Sequence, residues 1–255
     1  MSVHACAALV EKADPERFRA AMAAPVAARR VLFPLYAFNV EVARAPWVTE
    51  EPMIAEMRLQ WWRDALEEIA AGGSVRKHEV VDALADVLDA EGASCLDALV
   101  AARRWDVYTD PFEDQAHFDE YIDATSAHLM WTAARLLGDA EEKVVRKFAF
   151  AVGVANLFRA VPALEARGRK PLVDGTVGGV YALAKKAVAG RSYAGKARRA
   201  VSRAAAPALL SGYMASPVLA RVYRDPRAVA RADLEFNPLR ARLRLARVAT
   251  FGWWR

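Results

Sequence analysis

Apolar residues along this chain recur at three- and four-residue steps over long stretches, and the alternating valine, isoleucine and threonine runs that would mark strands are scarce. The pattern predicts an all-α fold. Asp14-Pro15-Glu16 reads as an N-cap, a first-turn proline and a first-turn acid, opening a short helix that ends near Met22. A longer helix is predicted from Pro25 to Arg44. Pro34 removes a backbone donor inside it, so a kink over Arg30 to Phe33 is expected. Thr49 to Pro52 restarts a helix that stops at Gly72-Gly73. Further helices are predicted over about 78–91, 94–107, 114–137, 139–161, 177–189, 195–211, 217–231 and 238–253, with a glycine-rich loop beginning at Arg167.

Composition sharpens this picture. The chain has 255 residues, 55% of them apolar, and no stretch with the character of a linker, so one domain over residues 1–255 is expected. The longest uncharged run near Phe148 to Phe158 is shorter than the roughly 20 residues of a membrane-spanning helix, so none is expected. Cys6 and Cys95 have neither metal-ligand nor disulfide-framework spacing, and the N-terminus lacks the pattern of a secretory signal. A reducing, cytoplasmic setting follows as the expectation. The net charge of +5 divides unevenly, with +11 in residues 191–255 against −6 in the rest.

Several groups invite a chemical reading. Arg58, Trp61 and Trp62 share one helix face, as an aromatic core stripe or as an arginine stacked on tryptophan beside an apolar tunnel. Arg29, Arg30, Arg159 and Arg169 carry guanidinium forks suited to phosphate oxygens, with ordinary surface charge as the alternative. His4, His78, His117 and His128 lack metal-ligand spacing, and no nucleophile can be selected. The C-terminal helix places Arg240, Arg244 and Arg247 on one face and ends in Phe251, Trp253 and Trp254, a combination suited to an anionic membrane surface or an acidic protein partner. Nucleic acid ranks last, because the helix matches no base-reading motif.

Two segments resemble squalene and phytoene synthases. The first is RRVLFPLYAFNVEVARAPW, from Arg29 to Trp47; the second is NLFRAVPALEARGRKPL, from Asn156 to Leu172. Between them, YIDATSAHLMWTAARLLG stands in the place of the family's central helix. The resemblance implies an isoprenoid-synthase helical bundle around a central cavity. In active members two acidic motifs bind Mg²⁺, which helps a substrate diphosphate depart. Here the first motif, with Tyr36, Phe38, Asn39 and Glu41, carries Ala43, Arg44 and Trp47 where its aspartates would fall. The second, with Asn156, Arg159 and Arg169, carries Ala160 and Ala163 or Leu164. Neither set provides a pair of carboxylates. Glu41 is about 60° around the helix from Arg44, so it either pairs with a neighbouring arginine or gives weak Mg²⁺ binding. Pro162 suggests that the second motif helix ends or bends there.

Within that superfamily, AFNVEVARA followed by MRLQWWRDALEEI resembles the branch, lacking the aspartates, that serves assembly of mitochondrial respiratory complex I. The resemblance implies a catalytically silent protein with no cofactor, whose partners are complex I subunits or assembly factors at the inner membrane face. Two other readings stay open: a divergent head-to-head prenyl diphosphate synthase that uses Glu41 and Mg²⁺, and a module that holds an isoprenoid or lipid unchanged.

Overall fold

The computed structural model describes residues 2–49 and 51–255, and among them there is no β-strand, only an isolated bridge between Ala140 and Val201. Thirteen helices follow in order among the described residues: α1 (Ser2–Ala13), α2 (Pro15–Ala23), α3 (Val26–Arg44), α4 (Pro52–Ala70), α5 (Glu79–Ala85), α6 (Ala90–Arg103), α7 (Gln115–Ile122), α8 (His128–Leu137), α9 (Glu142–Glu165), α10 (Val177–Lys196), α11 (Ala215–Arg224), α12 (Arg227–Ala230) and α13 (Pro238–Phe251). They bury one continuous apolar core that runs from Cys6 to Trp253. Burial of that surface is the main force holding the bundle together.

Local chemistry explains most element ends. The Asp14 side chain accepts from the Arg17 amide and caps α2, with Pro15 in the first turn. Asp89, Asp114, Thr176 and Asn237 cap α6, α7, α10 and α13 in the same way. The cap at Asp89 divides the expected 78–91 helix, because its extended backbone separates α5 from α6. α3 continues through Pro34 as one helix, eleven of its residues are buried, and its ring lies in the core.

Other expectations need correction. The N-terminal residues form a helix of their own, α1, which buries Cys6 and Val10 in the core and packs on α3 and α5. The helix expected over 177–189 runs on to Lys196, and in place of the expected 195–211 helix there are 3₁₀ turns over Arg198–Ala200 and Ala206–Gly212, because the backbone between them pairs elsewhere: the Glu141 amide donates to the Ala200 carbonyl and the Ser202 amide to that of Asp139. The expected 217–231 helix breaks at Asp225, which precedes Pro226 and is held out of the helical region. Helix α9 does not end at Pro162 but runs on to Glu165. It is long and apolar enough to cross a membrane by length and composition, yet Val144, Phe148, Ala151, Ala155 and Phe158 bury it among its neighbours as a core helix.

Candidate functional site

Helix α3 delivers the first motif. Tyr36 and Phe38 are buried, and Phe38 meets the Trp62 ring edge-on at 5.3 Å, so both belong to the core. Asn39 is buried as well, and its side-chain carbonyl oxygen has no hydrogen-bond partner. One turn on, Glu41 pairs with Arg44 at 3.2 Å, which commits the one carboxylate of the motif to a guanidinium. Ala43 contributes only a methyl. Past the helix, a single 3₁₀ turn over Ala45–Trp47 turns the Trp47 ring toward the loop after α9.

Helix α9 delivers the second motif. Asn156 and Ala163 are exposed, Ala160 and Leu164 half-buried, and none of the positions where the aspartates would fall offers a carboxylate. Arg159 is taken by Glu16 of α2 in a two-pronged pair with both distances at 2.8 Å. That bond holds the Arg159 guanidinium above its ordinary value, against the opposing effect of burial. Helix α2 thereby links the two motifs: beside Glu16, Arg17 lies over the Tyr36 ring at 5.7 Å and Phe18 packs on Phe33.

The chain leaves α9 through Gly168, whose φ of +75° is a conformation that glycine adopts without strain. It then buries Arg169, which is therefore no surface charge. Arg169 donates to the backbone carbonyls of Asp106 and Tyr108, and its guanidinium stands over the Trp47 ring at 4.6 Å, with that of Arg167 at 4.8 Å. Beneath these carbonyls lies a polar group that the sequence did not single out as a site. The Tyr121 hydroxyl donates to Asp106 at 2.7 Å, and Arg103 donates to Asp106 at 2.9 Å and to Tyr121 at 3.0 Å. Burial alone would lower Arg103, but Tyr121 and Asp106 outweigh it and push it above its ordinary value. Burial also pushes the Tyr121 phenol up. The Arg103-x-x-Asp106 spacing was the available sequence signal, since residues three apart meet on one helical turn.

The remaining candidates are dispersed. Arg29 closes the end of α2 through the carbonyls of Met22 and Ala24, and Arg30 is exposed. Trp62 is buried and Trp61 half-buried, but the arginine over Trp61 is Arg76, at 4.9 Å, whereas Arg58 is exposed to solvent. At the C-terminus, Trp253 is buried against Phe148 and Arg244 donates to the Tyr213 carbonyl, so neither is available to an external surface. Two clefts, of about 270 Å³ beside Phe118 and Leu183 and about 340 Å³ beside Arg63 and Asp97, contain none of the positions where the aspartates would fall, although Leu172 at the end of the second segment lines the first.

These residues do not suit the Mg²⁺ ions of prenyl diphosphate chemistry. Hard cations require several oxygen ligands. The motif positions supply methyl groups, an indole and a guanidinium, and Glu41 is already paired. Among the described residues, no three of His, Cys, Asp or Glu gather as a metal site.

The sequence model of squalene/phytoene synthase matches residues 10–173, a span that contains both motifs, Asp106 and Tyr121. The chain belongs to the squalene/phytoene synthase family. Two solved family folds superimpose closely. A dehydrosqualene synthase in complex with ligand gives a TM-score of 0.78 at 13% identity, over 98% of this chain and 96% of that one. The squalene synthase HpnC of Alicyclobacillus acidocaldarius gives 0.72 at 17% identity, over 88% and 93%. The sequence relatives carry a different description from these synthases. The Drosophila melanogaster homolog of NADH dehydrogenase (ubiquinone) complex I assembly factor 6 is 31% identical over 66% of this chain and 53% of its own length. The Homo sapiens assembly factor 6 is 23% identical over 62% of this chain and 49% of its own. The chain thus matches about half the length of each of these relatives.

Proposed function

We propose that this member of the squalene/phytoene synthase family acts in the assembly or stability of respiratory NADH:quinone oxidoreductase, at the cytoplasmic face of the inner membrane, and catalyses no prenyl transfer. The observation that carries this reading is the substitution of both motifs: Trp47 is held by Arg167 and Arg169, Glu41 is bound by Arg44, and Ala160 and Ala163 have no carboxylate to offer a cation. The names of the two assembly-factor relatives supply the process. Beside Trp47, the side chains of Val48, Met53, Ile54 and Met57 are exposed. An apolar strip of this kind suits contact with a protein partner, here a subunit or assembly factor of the oxidoreductase.

The enzymatic alternative needs a free carboxylate at Glu41, and a module that only holds an isoprenoid needs an apolar cavity at the motifs. Purified protein incubated with farnesyl or geranylgeranyl diphosphate and Mg²⁺ is expected to release no pyrophosphate. Turnover that disappears in Glu41→Gln would establish the synthase instead.

A further inference from the structure

Among the described residues, helix α13 has a second face that neither the core nor any ion pair uses. Its buried side, with Leu245 and Val248, packs on the bundle, and Arg244 is anchored there by the Tyr213 carbonyl. On the opposite side Leu239 and Leu243 are 64% and 63% exposed. At 100° per residue, Leu239, Leu243, Ala246 and Thr250 fall within an arc of about 60°. Arg240 and Arg247 border that arc on one side and Arg242 on the other. Phe251, 63% exposed, closes the C-terminal end of the Arg240 and Arg247 border.

The charge carried by the helix itself has one sign. Helix α13 contains no acid. Of the three acidic side chains in residues 191–255, Asp225 and Asp233 are taken by Arg231 and Arg221, and Glu235 lies outside the helix, ahead of its Asn237 cap. A narrow apolar stripe with arginines on both borders matches a bilayer surface, where acyl chains receive the leucines and lipid phosphates lie on either side. A protein partner would have to line both walls of one apolar groove with acids. Nucleic acid would leave the leucines without an apolar partner.

We propose that α13 lies in the plane of an anionic membrane surface, inserting Leu239, Leu243 and Phe251 and placing Arg240, Arg242 and Arg247 among the lipid phosphates. This differs from the arrangement expected from sequence, in which Arg244 and the terminal tryptophans faced the membrane. It adds the docking surface to the assembly reading and depends on that reading only for which membrane is meant. The surface is also distinct from the Trp47 strip. Trp253, just past α13, packs on Phe148 in the first half of α9, whereas Trp47 stacks on residues beyond its C-terminus, about 25 Å further along the helix axis.

Flotation of the full chain with vesicles tests the proposal. Vesicles of phosphatidylcholine mixed with phosphatidylglycerol should carry the protein, and vesicles of phosphatidylcholine alone should not. Binding should weaken when salt rises from ~0.1 M to ~0.5 M, because arginine and phosphate near a surface attract through a screened field. Leu239→Asp with Leu243→Asp should abolish flotation, and Arg240→Gln with Arg242→Gln and Arg247→Gln should weaken binding roughly a hundredfold. Both variants should melt as the parent does, since every altered side chain is exposed. Equal binding to neutral vesicles, no binding to anionic ones, or retained binding by the aspartate variant would each overturn it, as would capture by an acidic protein without vesicle binding. Failure here with complex I still dependent on the gene would remove only the docking surface; vesicle binding with complex I unaffected by gene loss would remove the assembly reading.

Discussion

Arg169 stands over the Trp47 indole at 4.6 Å, joining the end of the first motif to the loop after the second. The indole occupies the position where the synthase pattern has an aspartate, and the guanidinium beside it would repel a cation. A metal-binding position has become a packing contact. Trp47→Ala should therefore lower stability by about 1–2 kcal/mol, seen as a fall in Tm of roughly 2–6 °C. Trp47→Phe, which keeps a ring face, should recover part of the loss.

Arg169 itself carries more than that contact. Its truncation strands the Asp106 and Tyr108 carbonyls, both served by a charged donor. Arg169→Ala should cost about 3 kcal/mol in denaturant unfolding. Arg169→Lys should rescue little, because one ammonium cannot reproduce the fork.

The group below it makes a graded prediction. Asp106→Ala leaves Arg103 buried and without its carboxylate, at a cost of about 3–5 kcal/mol. Tyr121→Phe removes one hydrogen bond to Asp106 and another from Arg103, and should cost about 1–2 kcal/mol. The reverse order in urea melts would mean that the tyrosine, and not the ion pair, holds the loop.

Burial pushes the Cys6 thiol from 9.0 up to about 12. In the folded state it stays neutral where the unfolded thiol would ionise, so its contribution to stability is complete below pH 9 and is lost as pH rises toward 12. Native protein at pH 8 should leave Cys6 unlabelled by a thiol reagent until it unfolds, and Cys6→Ala should flatten the decline in stability above pH 9. The acid side has the opposite sign. Arg135 and the Gly92 amide hold the Asp89 carboxyl below its ordinary value, so stability is present above that value and falls as the group is protonated. Asp89→Asn should lose part of this dependence.

Local signals made much of this fold legible. Asp14-Pro15 marks the start of α2, Gly72-Gly73 the end of α4, and the all-α character is plain from periodicity. Helix α1 was missed because its N-terminus presents no cap signal, although Val3, Cys6 and Val10 follow helical spacing. The helix expected over 195–211 does not form, because the pairing of 139–141 with 200–202 is a tertiary contact that no local pattern records. The site divides in the same way. The resemblance to the synthases makes the lost aspartates visible at Ala43, Arg44 and Trp47 and at Ala160 and Ala163 or Leu164. Which arginine stacks on which tryptophan is not visible there, since Arg76 reaches Trp61 and Arg169 reaches Trp47 only after the chain folds back.

The most direct test of the central claim is the amount of assembled NADH:quinone oxidoreductase in cells from which this gene has been removed, read on a native gel by NADH dehydrogenase activity. A clear fall is expected, restored by the wild-type gene and equally by Glu41→Gln, with squalene and carotenoid content unchanged. Unaltered complex I together with a loss of those isoprenoids would contradict that claim.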